Sequence, residues 1–128
     1  MADCEWIIVC DYAFPAMQSK LCMIGIFDIM FAPAVPFNHE KIFIGFNLVG
    51  EPGEKGETKL EIIAPTGTVI SSAKGVFTLP DTGSAFGAMQ VVNLELPEFG
   101  RYAIQIDLGE SVPKQAWFTL LERNLPGA

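Results

Sequence analysis

Histidine is almost missing from this chain of 128 residues: His39 is the only one. A Ser-His-Asp or Cys-His system needs an imidazole base held against its nucleophile. A zinc site needs clustered Cys and His. A lone histidine beside Pro36 and Glu40 supplies neither. Cysteine is also scarce, and Cys4, Cys10 and Cys22 are an odd number that matches no zinc spacing. Basic residues are few, 8 against 15 acidic ones, for a net charge of −7. They are scattered and form no basic patch with interleaved aromatics, so the expectation is no nucleic-acid partner and no anionic membrane surface. No apolar run approaches the roughly 20 residues of a membrane span. The run Trp6–Cys10 is too short for the core of a signal peptide, and the residues before it are acidic. A soluble, cytoplasmic protein is expected. Phosphate cradles of the Gly-x-x-x-x-Gly-Lys type are absent. Glu51, Glu54 and Glu57 share a loop but lack the Asp-x-Asp-x-Asp-Gly order of a calcium loop, and Asp81 with Thr82 and Ser84 is no stronger. Glu95 and Glu98 belong to a strand end and its turn rather than to two walls of a cleft. The expectation is therefore no cofactor, no metal and no conventional catalysis.

What is present is apolar surface in short pieces. Half the residues are hydrophobic and 18% are charged, the composition of a folded chain, and the length suits one domain over residues 1–128. Helical periodicity is nearly absent. Short apolar runs broken by Pro and Gly predict an all-β antiparallel sandwich of about eight strands, immunoglobulin-like or jelly-roll-like. The clearest signal is the stretch from Leu94 to Gly109. After Pro97 and Gly100, Tyr102, Ile104, Ile106 and Leu108 fall on one face, and Arg101, Ala103, Gln105 and Asp107 on the other. That period of two marks a half-buried strand. A Tyr just after a Pro/Gly turn predicts a tyrosine corner, with the ring in the core and the hydroxyl bonded to backbone upstream. This spacing resembles the corner of fibronectin-type and other immunoglobulin-like domains. Tyr102 and Gly100 are thus expected to be structural.

The first strand is expected from Trp6 to about Phe14, with Trp6, Ile8, Cys10, Tyr12 and Phe14 on one face. Cys10 and Cys22 could face each other across a hairpin as a strained disulfide or stay as reduced thiols, the second being expected in a reducing cell. Leu21–Ala32 reads as one strand, apolar on both faces except at Gly25 and Asp28, and such a strand is covered on both faces. Inside it the Asp28 carboxylate needs backbone donors or a cation, or must reach solvent at a bend; backbone donors are expected. Pro33–Glu40 reads as a proline-stiffened loop. Strands follow at about Lys41–Val49, Lys59–Ala64, Val69–Ser71, Gly75–Leu79, Met89–Leu96, Arg101–Leu108 and Lys114–Leu121. Gly109–Pro113 reads as a turn and Asn124–Ala128 as a loose tail.

The run Gly25–Pro36, with Leu60-Glu61-Ile62, Pro65-Thr66-Gly67 and Pro97–Tyr102, resembles a family of uncharacterised bacterial proteins known only as a domain of unknown function. The resemblance runs from about Asp11 to Leu120. It implies a bacterial or phage origin and a compact β-domain, and it brings no catalytic or ligand residues. Val35 stands where the family commonly has an aromatic residue.

Two functions are expected from these residues. The first is a non-catalytic protein-interaction or assembly module, with a protein partner or as a homodimer. Met23, Phe27, Met30, Phe31 and Phe43 are more apolar side chains than the inner faces need, and large apolar patches mark interfaces. The second is a small-ligand or glycan-binding sandwich using loops 33–40 and 80–86, with Phe37, His39 and Phe86 as contacts.

Overall fold

A computed structural model describes residues 1–109 and 112–123. The expectations for a turn through residues 110 and 111, and for the tail 124–128, lie outside these residues. The described chain is nearly all strand: β1 Asp3–Ala16, β2 Lys20–Ile26, β3 Ile29–Ala32, β4 Phe37–Val49, β5 Lys55–Ile63, β6 Val69–Thr78, β7 Ser84–Leu96, β8 Gly100–Asp107 and β9 Lys114–Glu122. One short 3₁₀ turn, Met17–Ser19, joins β1 to β2. The strands form two sheets, in the orders β2-β1-β4-β7 and β3-β9-β8-β5-β6. The architecture is an immunoglobulin-like sandwich. All pairings are antiparallel but that of β3 with β9, which is parallel.

The core follows from strand parity. Ile7 and Val9 of β1, Ile42 and Ile44 of β4 and Val91 of β7 point inward from the first sheet. They meet Leu60 and Ile62 of β5, Tyr102, Ile104 and Ile106 of β8, and Phe118 and Leu120 of β9. The face read from the sequence for β8 is this inner face. On β7 the inward positions change parity: Val91 is buried, Val92 and Asn93 are exposed, and Leu94 and Leu96 are buried again. Asn93 sits at φ 52°. Asn tolerates the left-handed region, so this one residue turns the strand and keeps both of its apolar halves in the core.

The tyrosine corner is present. The Tyr102 hydroxyl donates to the Glu98 carbonyl and accepts from the Glu98 amide at 3.2 Å. Its ring stacks on Phe118 with centroids 5.2 Å apart. Gly100 has φ 131°, and a Cβ there would come within 3.0 Å of Pro65, so only glycine closes this corner without strain. The Glu98 carboxylate accepts from the Thr66 amide at 2.8 Å, tying the corner to the β5–β6 turn.

Several sequence expectations are corrected. Leu21–Ala32 is not one doubly covered strand but two edge strands, β2 in one sheet and β3 in the other, with the chain crossing at Phe27 and Asp28. Asp28 is exposed at that crossing, so its carboxylate reaches solvent instead of needing backbone donors; its carbonyl accepts from the Thr119 amide at 2.9 Å. Proline excludes only residues 33–36 from the sheet, because Phe37–Glu40 begins β4. Ser84–Phe86 likewise belongs to β7, and the two short strands expected over 69–79 are one strand, β6. Cys10 faces Ile26 and Cys22 faces Phe14, so these cysteines are not opposite each other. Cys4, Cys10 and Cys22 are all free thiols.

Candidate interaction surface

The face shared by Trp6, Ile8, Cys10, Tyr12 and Phe14 is the outer face of the first sheet. Ile7 and Val9 take the core side instead. In the β1–β2 register Cys10 faces Ile26, Tyr12 faces Ile24 and Phe14 faces Cys22. Ile24 and Ile26 are 58% and 62% exposed, and Tyr12 is 44% exposed. The Tyr12 ring lies 5.6 Å from Phe14 and 4.9 Å from Phe43. The Lys41 ammonium rests 5.5 Å from the Tyr12 centroid and 5.7 Å from that of Phe43. The result is an apolar strip with one cation at its border, running along an edge strand that pairs only with β1 among the described residues.

A bend holds this strip in place. Gly25 has φ 72°, and its Cα faces the Asp11 carboxylate so closely that a Cβ would collide with it. Further along the arm, Met23 and Leu21 lie over Gly45 of β4. A Cβ on Gly45 would stand 2.7 Å from the Met23 sulfur and 3.3 Å from a Leu21 methyl. Cys10 is fully buried although it is on the outer face, with its thiol directed at the carbonyls of Tyr12 and Phe43 (3.4 and 3.7 Å). Burial pushes the Cys10 and Cys4 thiols above the ordinary value, which keeps them protonated and poorly reactive.

The residues expected to form an interface separate. Met30 is in the core and Phe27 packs against it. Met23 lies on Gly45 and Phe43 supports Tyr12. Phe31 alone of the five is exposed, at 45%, with the Arg123 guanidinium 5.0 Å above its ring. Sequence reasoning missed Ile24, Ile26 and Tyr12. The alternation was visible, but nothing in the chain said which face of β1 looks outward.

The residues expected at a loop site are not loop residues and do not converge. Phe37 packs partly against the core, and His39 lies 6.2 Å from it on β4. Phe86 is on β7 opposite Asn47, tilted against Trp6 at 5.8 Å. His39 and Asn47 are eight residues apart on β4, roughly 26 Å at the rise of a strand.

Two open clefts exist among the described residues. One, of about 470 Å³, lies beside Glu54, Lys59, Lys74, Phe77 and Asp107. Its charges are largely matched: Lys59 has Asp107 opposite on β8 and Glu61 at 3.7 Å, and Glu54 is 3.5 Å from the N-terminal ammonium. The Glu51 amide, donating at 3.0 Å, holds the Glu54 carboxyl below its ordinary value. The other, of about 600 Å³, lies between the β1–β2 tip at Pro15–Leu21 and the start of β7 at Ser84–Ala88. No group of three or more His, Cys, Asp or Glu among the described residues is placed to share a metal ion. No helix is long and apolar enough to cross a membrane.

Comparison with known proteins supports the fold. A crystal structure of an immunoglobulin-like protein from Pseudomonas aeruginosa is similar, with a TM-score of 0.52 and 14% identity, over 94% of this chain and 97% of that one. No curated protein matches the sequence. A family model described as a family of unknown function (DUF6941) matches residues 5–120.

Proposed function

The chain belongs to the DUF6941 family of unknown function, and from that premise we propose that it is a non-catalytic protein-interaction module that self-associates through the strip on β1 and β2. One observation carries this reading: Ile24 and Ile26 stand exposed on the edge strand β2, beside the exposed Tyr12 of β1. Sheet edges with apolar side chains are templates for pairing, and proteins that do not use them blunt them with charge, proline or cover. Here the middle of β2, Leu21–Ile26, carries no charge and no proline. Three free thiols favour a reducing compartment, and we place the module in the cytoplasm. The acidic balance of the chain disfavours nucleic acid and anionic membranes as partners.

Sedimentation velocity from micromolar to millimolar concentration tests this reading. The expected result is a weight-average mass rising toward twice that of one chain. Ile24→Glu, at a position already 58% exposed, is expected to stay monomeric with its fold intact. A wild-type chain that remains monomeric throughout would remove the self-associating reading.

A second reading, a small-ligand site, rests on the 600 Å³ cleft between the hairpin tip and β7. A ligand library that left the melting temperature unchanged would count against it.

A further inference from the structure

We propose that the outer face of the second sheet, over β3 and β9, docks an extended segment of a partner protein with the pattern acidic-x-apolar-x-acidic. Strand parity builds this face. Met30, Ala32, Phe118 and Leu120 turn inward, so Ile29 and Phe31 of β3 and Trp117 and Leu121 of β9 share the outer side, and all four are exposed. The parallel register sets Ile29 beside Thr119 and Phe31 beside Leu121. It is held by the Thr119 amide, donating to the Asp28 carbonyl, and by the Arg123 amide, donating to that of Ala32, both at 2.9 Å. Tyr12, Ile24 and Ile26 lie on the other sheet, so this is a second surface and does not rest on the self-association reading.

Charge decides what fits it. The chain has only two arginines, Arg101 and Arg123, and both stand here. The Arg101 guanidinium lies 4.3 Å from the Trp117 centroid, and that of Arg123 lies 5.0 Å from the Phe31 centroid. A guanidinium stacked on a ring is held by its face and keeps the N–H donors in its plane for a carboxylate. The ion pairs among the described residues are Met1 with Glu54 and Lys59 with Glu61, so neither arginine takes part in one. The exposed Asp28 and Glu122 border the patch without pairing with either. Trp and Arg among apolar neighbours are the composition of binding hot spots.

Spacing sets the pattern. Trp117 and Leu121 are four residues apart on β9, roughly 13 Å at the rise of a strand, and Phe31 lies beside Leu121. An extended partner has the same rise, and its residues i, i+2 and i+4 line one face. Carboxylates at i and i+4 then reach the two arginines, while the apolar residue at i+2 lies over Ile29 and Thr119. A chain of net charge −7 repels a nucleic-acid backbone, so a short apolar segment with two carboxylates suits this face better than a polyanion.

Nuclear magnetic resonance titration of the full chain with the peptide Ser-Asp-Thr-Leu-Thr-Asp-Ser tests the proposal. The peptide is expected to shift the Trp117 indole and both guanidinium Nε signals, to leave Tyr12 and Ile24 unmoved, and to bind more weakly as salt rises. Arg101→Gln and Arg123→Gln are each expected to weaken binding roughly tenfold, with melting temperature and oligomeric state unchanged. Arg101→Lys is expected to weaken it too, because an ammonium lacks the planar fork. Peptides with Asn in place of Asp, or with the two Asp adjacent, are expected to bind roughly tenfold more weakly. No shift at millimolar peptide, arginine variants that bind like the parent, equal binding of the Asn peptide, or tighter binding of a single-stranded oligonucleotide at the same signals would overturn the proposal. An adjacent-Asp peptide that binds as tightly as the spaced one overturns the pattern. A monomeric chain that binds the spaced peptide through both arginines upholds this surface and removes only the self-association reading.

Discussion

Replacing Tyr102 with alanine is expected to lower the unfolding free energy by about 3–5 kcal/mol, the range for deleting a buried aromatic ring. A domain of this size holds about 5–15 kcal/mol in total, so the variant would lie near the limit of folding. Three contacts are lost together. The ring is fully buried, it stacks on Phe118, and its hydroxyl exchanges two hydrogen bonds with the Glu98 backbone. Tyr102→Phe separates them: it keeps the ring and leaves the Glu98 groups unpaired, at a cost of about 1–2 kcal/mol. Burial also raises the phenol above its ordinary value of about 10. The folded state therefore favours the neutral form. That contribution is complete below the unfolded value and is lost as the pH rises through the higher folded one. Tyr102→Phe removes this alkaline loss. Urea titrations of the three proteins at neutral and alkaline pH read all of these effects, and an alanine variant as stable as the parent would contradict the corner.

Gly45→Val is expected to cost about 1–3 kcal/mol, as overpacking does, and also to abolish self-association. The site sits under Met23 and Leu21, and a Cβ alone would stand 2.7 Å from the Met23 sulfur and 3.3 Å from a Leu21 methyl. Met23 ends in a flexible thioether, so Gly45→Ala is expected to be milder. With valine the arm must lift, and β2 no longer presents Ile24 and Ile26 in register. Thermal melts and sedimentation on the same samples separate the two consequences. A valine variant that associates like the parent would show that the arm's seat does not position the edge.

The two predictions draw on parts of the molecule that were unequally legible. The corner was readable because its signal is local: Pro97, Gly100 and a Tyr ahead of a clean alternation demand one geometry. The arm was not, because its decisive features are relations between distant residues. Gly45 gains meaning only when Met23 lies over it. Leu21–Ala32 looked like one strand because apolar continuity does not reveal a change of sheet, and Asp28, the residue that marks the crossing, looked like a buried exception. Met30 and Phe31 are neighbours in sequence, yet one is in the core and the other is exposed with Arg123 above it. Parity tells the two faces of β1 apart without saying which is inside, so the sequence does not single out Tyr12 as a surface residue. The positive φ at Asn93, which turns β7 over, has no clear signature beyond the residue type.

The most direct measurement is amide hydrogen exchange along β2 at low and high protein concentration. Pro15 has no amide hydrogen, so its pairing with Leu21 turns the amides of Leu21 and Met23 to the free edge, where they have no partner strand in a single copy among the described residues, whereas that of Phe27 is bonded to Val9. The expected result is that exchange at Leu21 and Met23 slows as concentration rises, while Phe27 and the core amides of β8 stay unchanged. Exchange at those two residues that is independent of concentration would contradict the account of the chain as a self-associating module built on this edge.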